Sequence, residues 1–391
     1  MLSIICAVKY CCRSIYPINL LSGCSRFDSS VCLLYEGTVA DISPANGQLG
    51  TRVTIKGASL RASGDNVDTV TLAGVDAEIV SEEDTVVIVV ASVSGAIQGD
   101  VVLTAETAAT VTEAGGWTYL EQGAVTAVTP AEGQRGTEVS ITGSALRGGG
   151  NSVDKVTLGG VEVWKLVTET DTEVTVVVPR ADAAADTNVV LTADTGAVVT
   201  ALSAWTYLAE GEITSVGPES GQVGTRVTIE GTSLFGGGDA LESVTLAGVD
   251  VKIISANDSI AIVVIEDPST ATGSVVLTSN TGAIVSVDDA FTLVDVGKVT
   301  VVSPGRGQYG TVVAIHGDNL FGGGSKLKSI TFDGKVPLEL VESSNTYIKV
   351  RIDASHPGVG NIVIISNTFA EVALENGWTY DVQSDITEVC V

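Results

Sequence analysis

Residues 213–234 read ITSVGPESGQVGTRVTIEGTSL, and this stretch decides the organisation of the chain because it recurs three more times. The four copies are anchored on Pro44, Pro130, Pro218 and Pro304, at a period of about 87 residues. A regular period of this length is typical of tandem structural repeats. The sequence therefore predicts four small modules, although the chain length alone would suggest two or three domains.

The repeats and their flanks divide the chain into six segments. The expected bounds are 1–37 for an N-terminal cysteine-containing leader without a stable fold of its own, 38–122, 123–210, 211–296 and 297–383 for the four repeats, and 384–391 for the start of a truncated fifth repeat. Residues 386–389 read ITEV and repeat the entry strand ITSV at 213–216. We therefore expect a piece of a longer, rod-shaped array, with a radius of gyration well above the ~21 Å of a compact globule of this length.

The chain is strongly acidic, with 47 Asp and Glu residues against 20 Lys and Arg and a formal net charge of −27 at pH 7. Such a surface repels phosphate backbones and anionic lipid headgroups. We therefore expect no nucleic-acid partner and no binding to an anionic membrane surface. The same charge favours solubility, cations and basic partners.

The cysteines are concentrated at the two ends of the chain, at Cys6, Cys11, Cys12, Cys24, Cys32 and Cys390. No repeat contains a disulfide, so each repeat must be stabilised by its apolar core, which a unit of this size can supply. The cysteine spacing is not that of two C-x-x-C pairs, and no histidine lies nearby, so a zinc site is not expected.

The first residues, MLSIICAV at 1–8, resemble a short signal-peptide core. They lack preceding basic residues and a clear cleavage site, so a working signal, an unstructured leader and a mistaken chain start stay open. No apolar run in the chain approaches the roughly 18 residues of a spanning helix, so we expect no direct membrane insertion by this chain.

Each repeat predicts a succession of short strands separated by turns. The two glycines of G-Q-x-G-T predict a tight turn with positive φ. In the following strand Val53 and Ile55 share one face while Arg52 and Lys56 share the other, which predicts one buried and one solvated face. Seven or so such strands in about 87 residues are typical of an immunoglobulin-like sandwich, so the predicted fold is all-β.

The repeats close on W-T-Y or F-T-L, at Trp117, Trp205, Phe291 and Trp378. We expect these aromatic side chains in the core of each sandwich and not on an exposed binding face. Together with the order I-x-x-V-x-P-x-x-G-Q-x-G-T-x-V-x-I-x-G-x-x-L and the later V-x-L-x-G, this pattern resembles the IPT/TIG domain over residues 38–382. The resemblance implies four tandem immunoglobulin-like sandwiches of the E-set type. In that family, extracellular tandem arrays serve cell-surface recognition, and single copies accompany polysaccharide-acting enzymes or occur in DNA-binding factors.

No constellation of residues predicts catalysis, so we expect a protein that is not an enzyme and has no cofactor. His316 lies on the outward face of a strand and His356 in a turn, and a solvated role is favoured for both. The GGGSK run at 322–326 lacks the order of a phosphate-binding loop and a helix after it, so we interpret it as an extended loop between strands.

Four carboxylates are candidates for Ca²⁺ binding together with backbone carbonyls. They are Asp239 and Glu242 in the third repeat and Asp65 and Asp68 at the corresponding place in the first. No dense D-x-D cluster surrounds them, so solvated turn carboxylates are the favoured alternative.

Two surface features bear on the function. The sequence NDS at 257–259 is an N-glycosylation sequon, and Asn257 is predicted in a turn where a glycan would clear both sheets. Trp164, in VEVWK, stands outside the closing-strand pattern and is the candidate contact for a glycan.

Two classes of function fit these observations. The first is a non-catalytic extracellular or cell-surface repeat array that acts in adhesion, in recognition of a protein or glycan ligand, or as a structural spacer. The short joints LEQG at 120–123 and LAEG at 208–211 favour it because they should restrict bending. The alternative is a set of carbohydrate-binding accessory modules of a larger polysaccharide-associated protein, which an exposed tryptophan would favour.

Overall fold

The computed structural model describes residues 36–383, and within them every regular element is a β-strand. All of these residues except Glu36 belong to one compact unit that begins at Gly37. The leader and the expected fifth repeat lie outside the described residues, apart from Glu36 and Gly37. The predicted all-β fold is confirmed.

The strands fall into four groups of eight or nine, one for each repeat, and we call each group a module. The first module contains β1 (Thr38–Ser43), β2 (Asn46–Gly47), β3 (Arg52–Ala58), β4 (Val67–Leu72), β5 (Val75–Glu82), β6 (Val86–Val90), β7 (Ile97–Ala105) and β8 (Thr110–Tyr119). The second contains β9 (Ala124–Thr129), β10 (Glu132–Gly133), β11 (Glu138–Ser144), β12 (Val153–Leu158), β13 (Val161–Glu162), β14 (Lys165–Glu169), β15 (Glu173–Val177), β16 (Ala184–Ala193) and β17 (Val198–Tyr207).

The third and fourth modules repeat this order. The third contains β18 (Glu212–Gly217), β19 (Ser220–Gly221), β20 (Arg226–Thr232), β21 (Leu241–Leu246), β22 (Val249–Asp250), β23 (Lys252–Ala256), β24 (Ile260–Val264), β25 (Ala271–Ser279) and β26 (Ile284–Leu293). The fourth contains β27 (Lys298–Ser303), β28 (Arg306–Gly307), β29 (Val312–Asp318), β30 (Leu327–Phe332), β31 (Glu339–Ser343), β32 (Tyr347–Arg351), β33 (Gly358–Ser366) and β34 (Glu371–Tyr380).

The strands of each module form two sheets. In the second module these are β14-β15-β11-β9 and β10-β17-β16-β12-β13. All pairings are antiparallel except that of the two-residue strand β10, which runs parallel to the closing strand β17. In the first module β5 is continuous and takes part in both sheets, so they join into one eight-stranded sheet.

The core of each module lies between its two sheets, and the sequence alternation decides which side chains enter it. Val53 and Ile55 are fully buried while Arg52 and Lys56 are exposed, as predicted. The closing tryptophans are buried as well, and the Trp117 and Tyr119 rings meet edge to face with centroids 5.5 Å apart. The second and fourth modules repeat this contact, and the third replaces it with buried Phe291 and Leu293. The prediction of core packing is therefore confirmed.

The two glycines of G-Q-x-G-T have different roles. The second glycine has φ between +82° and +91° in all four modules, which confirms the predicted turn. The first does not have a positive φ, and for that glycine the prediction was wrong. It lies in the short strand β2 or its counterpart, where a Cβ on Gly47 would overlap with Thr51 Oγ1. The first glycine is therefore required by close packing.

A bulge interrupts β5 in the first module and the edge strands β14, β23 and β31 in the other three. The ladder shifts register between Ile79 and Ser81 in β5, and at the corresponding places in β14, β23 and β31. The bulged residue is apolar and exposed in every module, as Val80, Val167, Ile254 and Val341. A bulge disrupts the row of hydrogen-bonding groups that an edge strand presents to other chains.

The first and second modules carry an ion pair beside the buried leucine that follows the third strand. Arg61 donates from Nε to the Glu82 carboxylate at 2.9 Å, and Nη2 makes a second bond to it at 3.1 Å. Arg147 and Glu169 repeat the pair. These bonds hold the pKa of both carboxylates below the usual value. The other modules have a phenylalanine in place of the arginine and Ala256 or Ser343 in place of the glutamate.

Candidate functional site

Neighbouring modules meet at a joint that is held by the glutamine of the G-Q-x-G-T turn. The first joint lies between the first and second modules, the second joint between the second and third, and the third joint between the third and fourth. In the third joint, Gln222 of the third module donates from Nε2 to the Glu371 carbonyl of the fourth module at 2.9 Å. Its Oε1 accepts a bond from the Gly297 amide at 2.6 Å. Gln48 and Gln134 make the same two bonds in the first and second joints. All three glutamine side chains are at most 2% exposed, so their polar groups are satisfied only across the joint.

Main-chain hydrogen bonds support the glutamine. In the first joint the Arg52 amide donates to the Thr195 carbonyl at 2.8 Å, and the Val198 amide donates to the Leu49 carbonyl at 2.9 Å. The second joint has the same pair of bonds at the same distances, from Glu138 to Thr281 and from Ile284 to Arg135. The turn of one module is thereby paired directly with the turn between the last two strands of the next.

The glycine-rich loop of the following module makes room for the glutamine. A Cβ on Gly236 would lie 2.7 Å from Gln134 Nε2, and one on Gly322 would lie 2.5 Å from Gln222 Cδ. Both glycines have φ near +55°. Our interpretation of residues 322–326 as an extended loop between strands was therefore incomplete, because this loop is one wall of the joint.

Sequence reasoning missed the role of the glutamine because the motif was explained as a turn. The available signal was that glutamine occupies the same position in all four copies. A tight turn needs glycine at defined positions, but it has no need for a buried primary amide.

Trp164 lies at the surface, separate from the three buried tryptophans. It directly precedes the edge strand β14, is 63% exposed, and donates its amide to the Val177 carbonyl at 2.9 Å. Val161 and Val167, on either side of it in the sequence, are also exposed. Leu338 precedes β31 in the fourth module in the same way and is 50% exposed. The structure thus presents the candidate glycan contact to solvent.

The four candidate calcium ligands are exposed, and the structure does not gather them into a metal-binding group. Glu242 lines a cleft of about 510 Å³ at the second joint together with Glu138 and Glu173. Within residues 36–383, however, no three Asp, Glu, His or Cys side chains are placed to hold one metal ion. Asp239, Asp65 and Asp68 lie on exposed loop and strand positions.

The remaining candidate residues lie where the sequence predicted them. Asn257 is exposed in the turn between β23 and β24, where its Oδ1 accepts bonds from the Ser259 and Ile260 amides at 2.8 and 2.9 Å. His316 is exposed on β29, and its ring centroid lies 4.9 Å from that of Tyr347. His356 is exposed in the segment before β33.

In the described part of the chain, no helix is long and apolar enough to cross a membrane.

A family model described as the IPT/TIG domain matches residues 38–119, 124–207, 212–293 and 298–383. No curated protein matches the chain.

Several solved structures are distantly similar to the chain. The full extracellular region of Plexin A4 is 14% identical over 88% of this chain and 37% of its own length, with a TM-score of 0.35. A second structure is that of SGBP-B of the Bacteroides ovatus mixed-linkage glucan utilization locus, in complex with a mixed-linkage heptasaccharide. It is 12% identical over 79% of this chain and 87% of its own length, with a TM-score of 0.22. The chain spans less than half the length of each of two Plexin A4 structures.

Proposed function

The chain belongs to the IPT/TIG domain family, and on that premise we propose that it is a non-catalytic extracellular or cell-surface repeat array. It would act in adhesion or recognition of a protein or glycan ligand, or as a structural spacer. The observation that carries the proposal is the pair of hydrogen bonds that one buried glutamine makes across each joint, which we call the glutamine bridge. It recurs at all three joints of the described residues. A spacer or adhesive array needs defined angles between its modules, and buried polar bonds across each joint provide them.

The proposal is tested by measuring how much neighbouring modules move. Spin labels are placed in the second and third modules of the full chain through an orthogonal amino acid, because the six native cysteines would take a thiol-reactive label. Pulsed electron resonance should give one narrow distance distribution, and Gln134→Ala should broaden it. A distribution that is already broad in the unmodified chain would overturn the spacer role.

The extracellular location needs a separate measurement. An antibody against the third module should label intact cells of the source organism, and digestion with a glycosidase should shift the mass of the protein if Asn257 carries a glycan. Labelling only after the cells are permeabilised would contradict an extracellular or surface location.

We also propose that the chain has no enzymatic activity. A panel of ester, peptide and glycoside substrates should show no turnover by the purified chain. Turnover that persists through repurification and co-elutes with the protein would contradict it.

A second candidate function is carbohydrate binding as accessory modules of a larger polysaccharide-associated protein. The exposure of Trp164 favours it, because a solvated indole face can stack on a sugar ring. On a glycan array, binding that is lost in Trp164→Ala but kept in Leu338→Ala would support this function. Leu338 is the matched control because it occupies the corresponding exposed position in the fourth module.

A further inference from the structure

The third joint differs from the first two in one turn residue. Where the earlier joints have Gly196 and Gly282, the fourth module has Phe369, which is 41% exposed at a φ of +69°. The main-chain contact beside it is kept, because the Arg226 amide donates to the Thr368 carbonyl at 2.8 Å. The joint therefore accommodates an aromatic ring at its surface.

Two cations lie against this ring. The guanidinium carbon of Arg226, from the third module, is 4.6 Å from the ring centroid, and Lys328 Nζ, from the fourth, is 3.4 Å from it. Within residues 36–383 no carboxylate forms an ion pair with either cation, and this includes Glu371, two residues beyond Phe369. Two like charges beside one ring repel each other, so an anion placed between them would be stabilised by both.

The charge of this joint is the reverse of that at the second joint. The cleft of about 510 Å³ at the second joint is lined by glutamates, including Glu138 and Glu242. At the third joint a cleft of about 460 Å³, which we call the third-joint cleft, is lined by Arg226 and Phe369. Arg226 stands at the position of Glu138 in the repeat, and Lys328 stands at that of Glu242. An aromatic ring beside two cations suits a ligand that has an apolar face and an anionic group.

We propose that the third-joint cleft binds an acidic saccharide. Its sulfate or carboxylate is bound by Arg226, which lines the cleft, and by Lys328, which does not line the cleft but lies over the Phe369 ring. The apolar face of its sugar ring lies against Phe369. The lysine can move from the ring to the anion because its charge is carried on a flexible four-carbon chain. The net charge of −27 does not prevent this binding, since exposed charges more than about 8 Å away are screened at physiological ionic strength.

The inference goes beyond the array proposal. Binding by the chain in solution does not depend on where the chain acts. The site spans the third joint, because Arg226 belongs to the third module and Lys328 to the fourth, whereas the spin labels report on the second joint. The binding experiment and the spin-label experiment can therefore fail independently.

The test is calorimetric titration of the full chain with a heparin-derived tetrasaccharide, which carries both sulfate and uronate groups. The informative variants are Arg226→Glu, Lys328→Glu and Phe369→Gly, because each introduces the residue that another module has at the same position, so folding should be preserved. The matched control is Lys56→Glu, which makes the same charge change far from the joint and introduces the residue that the third module has as Glu230.

We expect each glutamate variant to bind about 10- to 100-fold more weakly, as for loss of a hydrogen bond to a charged group. Phe369→Gly should weaken binding about 2- to 10-fold, as for loss of an aromatic contact. Lys56→Glu should bind the tetrasaccharide with unchanged affinity. A neutral oligosaccharide should not bind to the unmodified chain. Three results would overturn the proposal: no binding of the tetrasaccharide, an equal loss in Lys56→Glu, or displacement of the tetrasaccharide by an equal concentration of inorganic sulfate.

Discussion

Replacing Gln222 by alanine isolates the contribution of the glutamine to the third joint. The substitution removes both side-chain bonds and leaves the Gly297 amide and the Glu371 carbonyl without the partner that now satisfies them. An unsatisfied buried polar group costs about 1–3 kcal/mol. The free energy of local opening at Gly297 should fall by that amount, which corresponds to amide hydrogen exchange about 5- to 150-fold faster.

Exchange at the Gly297 amide is measured in the full chain by nuclear magnetic resonance or mass spectrometry. The control is Gln98→Ala, because Gln98 makes a single 3.3 Å bond to the Gly115 carbonyl on an exposed surface. This control should change stability by no more than about 0.5 kcal/mol. Exchange at Gly297 that is unchanged in Gln222→Ala would refute the assignment of the glutamine as the main contact of the joint.

Three further measurements follow from the packing. Because the Arg61 hydrogen bond holds the pKa of Glu82 below its usual value, the ion pair stabilises the first module at any pH above that usual value. This contribution is lost as the pH falls through the lowered pKa. Calorimetry from pH 7 to pH 3 should therefore show a smaller loss of thermal stability in Glu82→Gln than in the unmodified chain. Denaturant unfolding should show a larger loss of stability in Gly136→Ala than in Gly310→Ala. Both glycines have φ above +80°, so the backbone strain of alanine is the same at both. Only at Gly136 would the added Cβ meet another module, where it would lie 2.7 Å from the Gly282 oxygen. Burial raises the pKa of Tyr207 to about 12, so Tyr207→Phe should remove a late step from an ultraviolet titration.

The fold of each module could be predicted because its signals are local. Alternation of Val and Ile with polar residues places Val227 and Ile229 in the core without reference to any distant residue. The closing aromatic residues could be assigned for the same reason, since Trp205 and Tyr207 are two residues apart and share one face of a strand.

The joints could not be predicted in the same way, because their contacts link residues far apart in the sequence. The bond from Gln48 to Val198 spans 150 residues, and nothing in the local pattern near either residue indicates the other. The same is true of the cation pair on Phe369. A comparison of the four repeats position by position would have shown Phe369 where two modules have glycine and Lys328 where the other three have an acidic residue. Only the structure places these residues beside Arg226.

The glutamine bridge also has a consequence for how such a gene can change. Each internal module has a glutamine turn at one end and a matching turn and glycine loop at the other, so the two ends fit those of a sister module. Duplication or deletion of one whole repeat of DNA would therefore join a glutamine turn to a matching turn and glycine loop, and the glutamine bridge would be preserved. An unequal crossover that cut within a repeat would instead split a core. Selection should thus tolerate inherited variation in the number of modules much more readily than variation in their length.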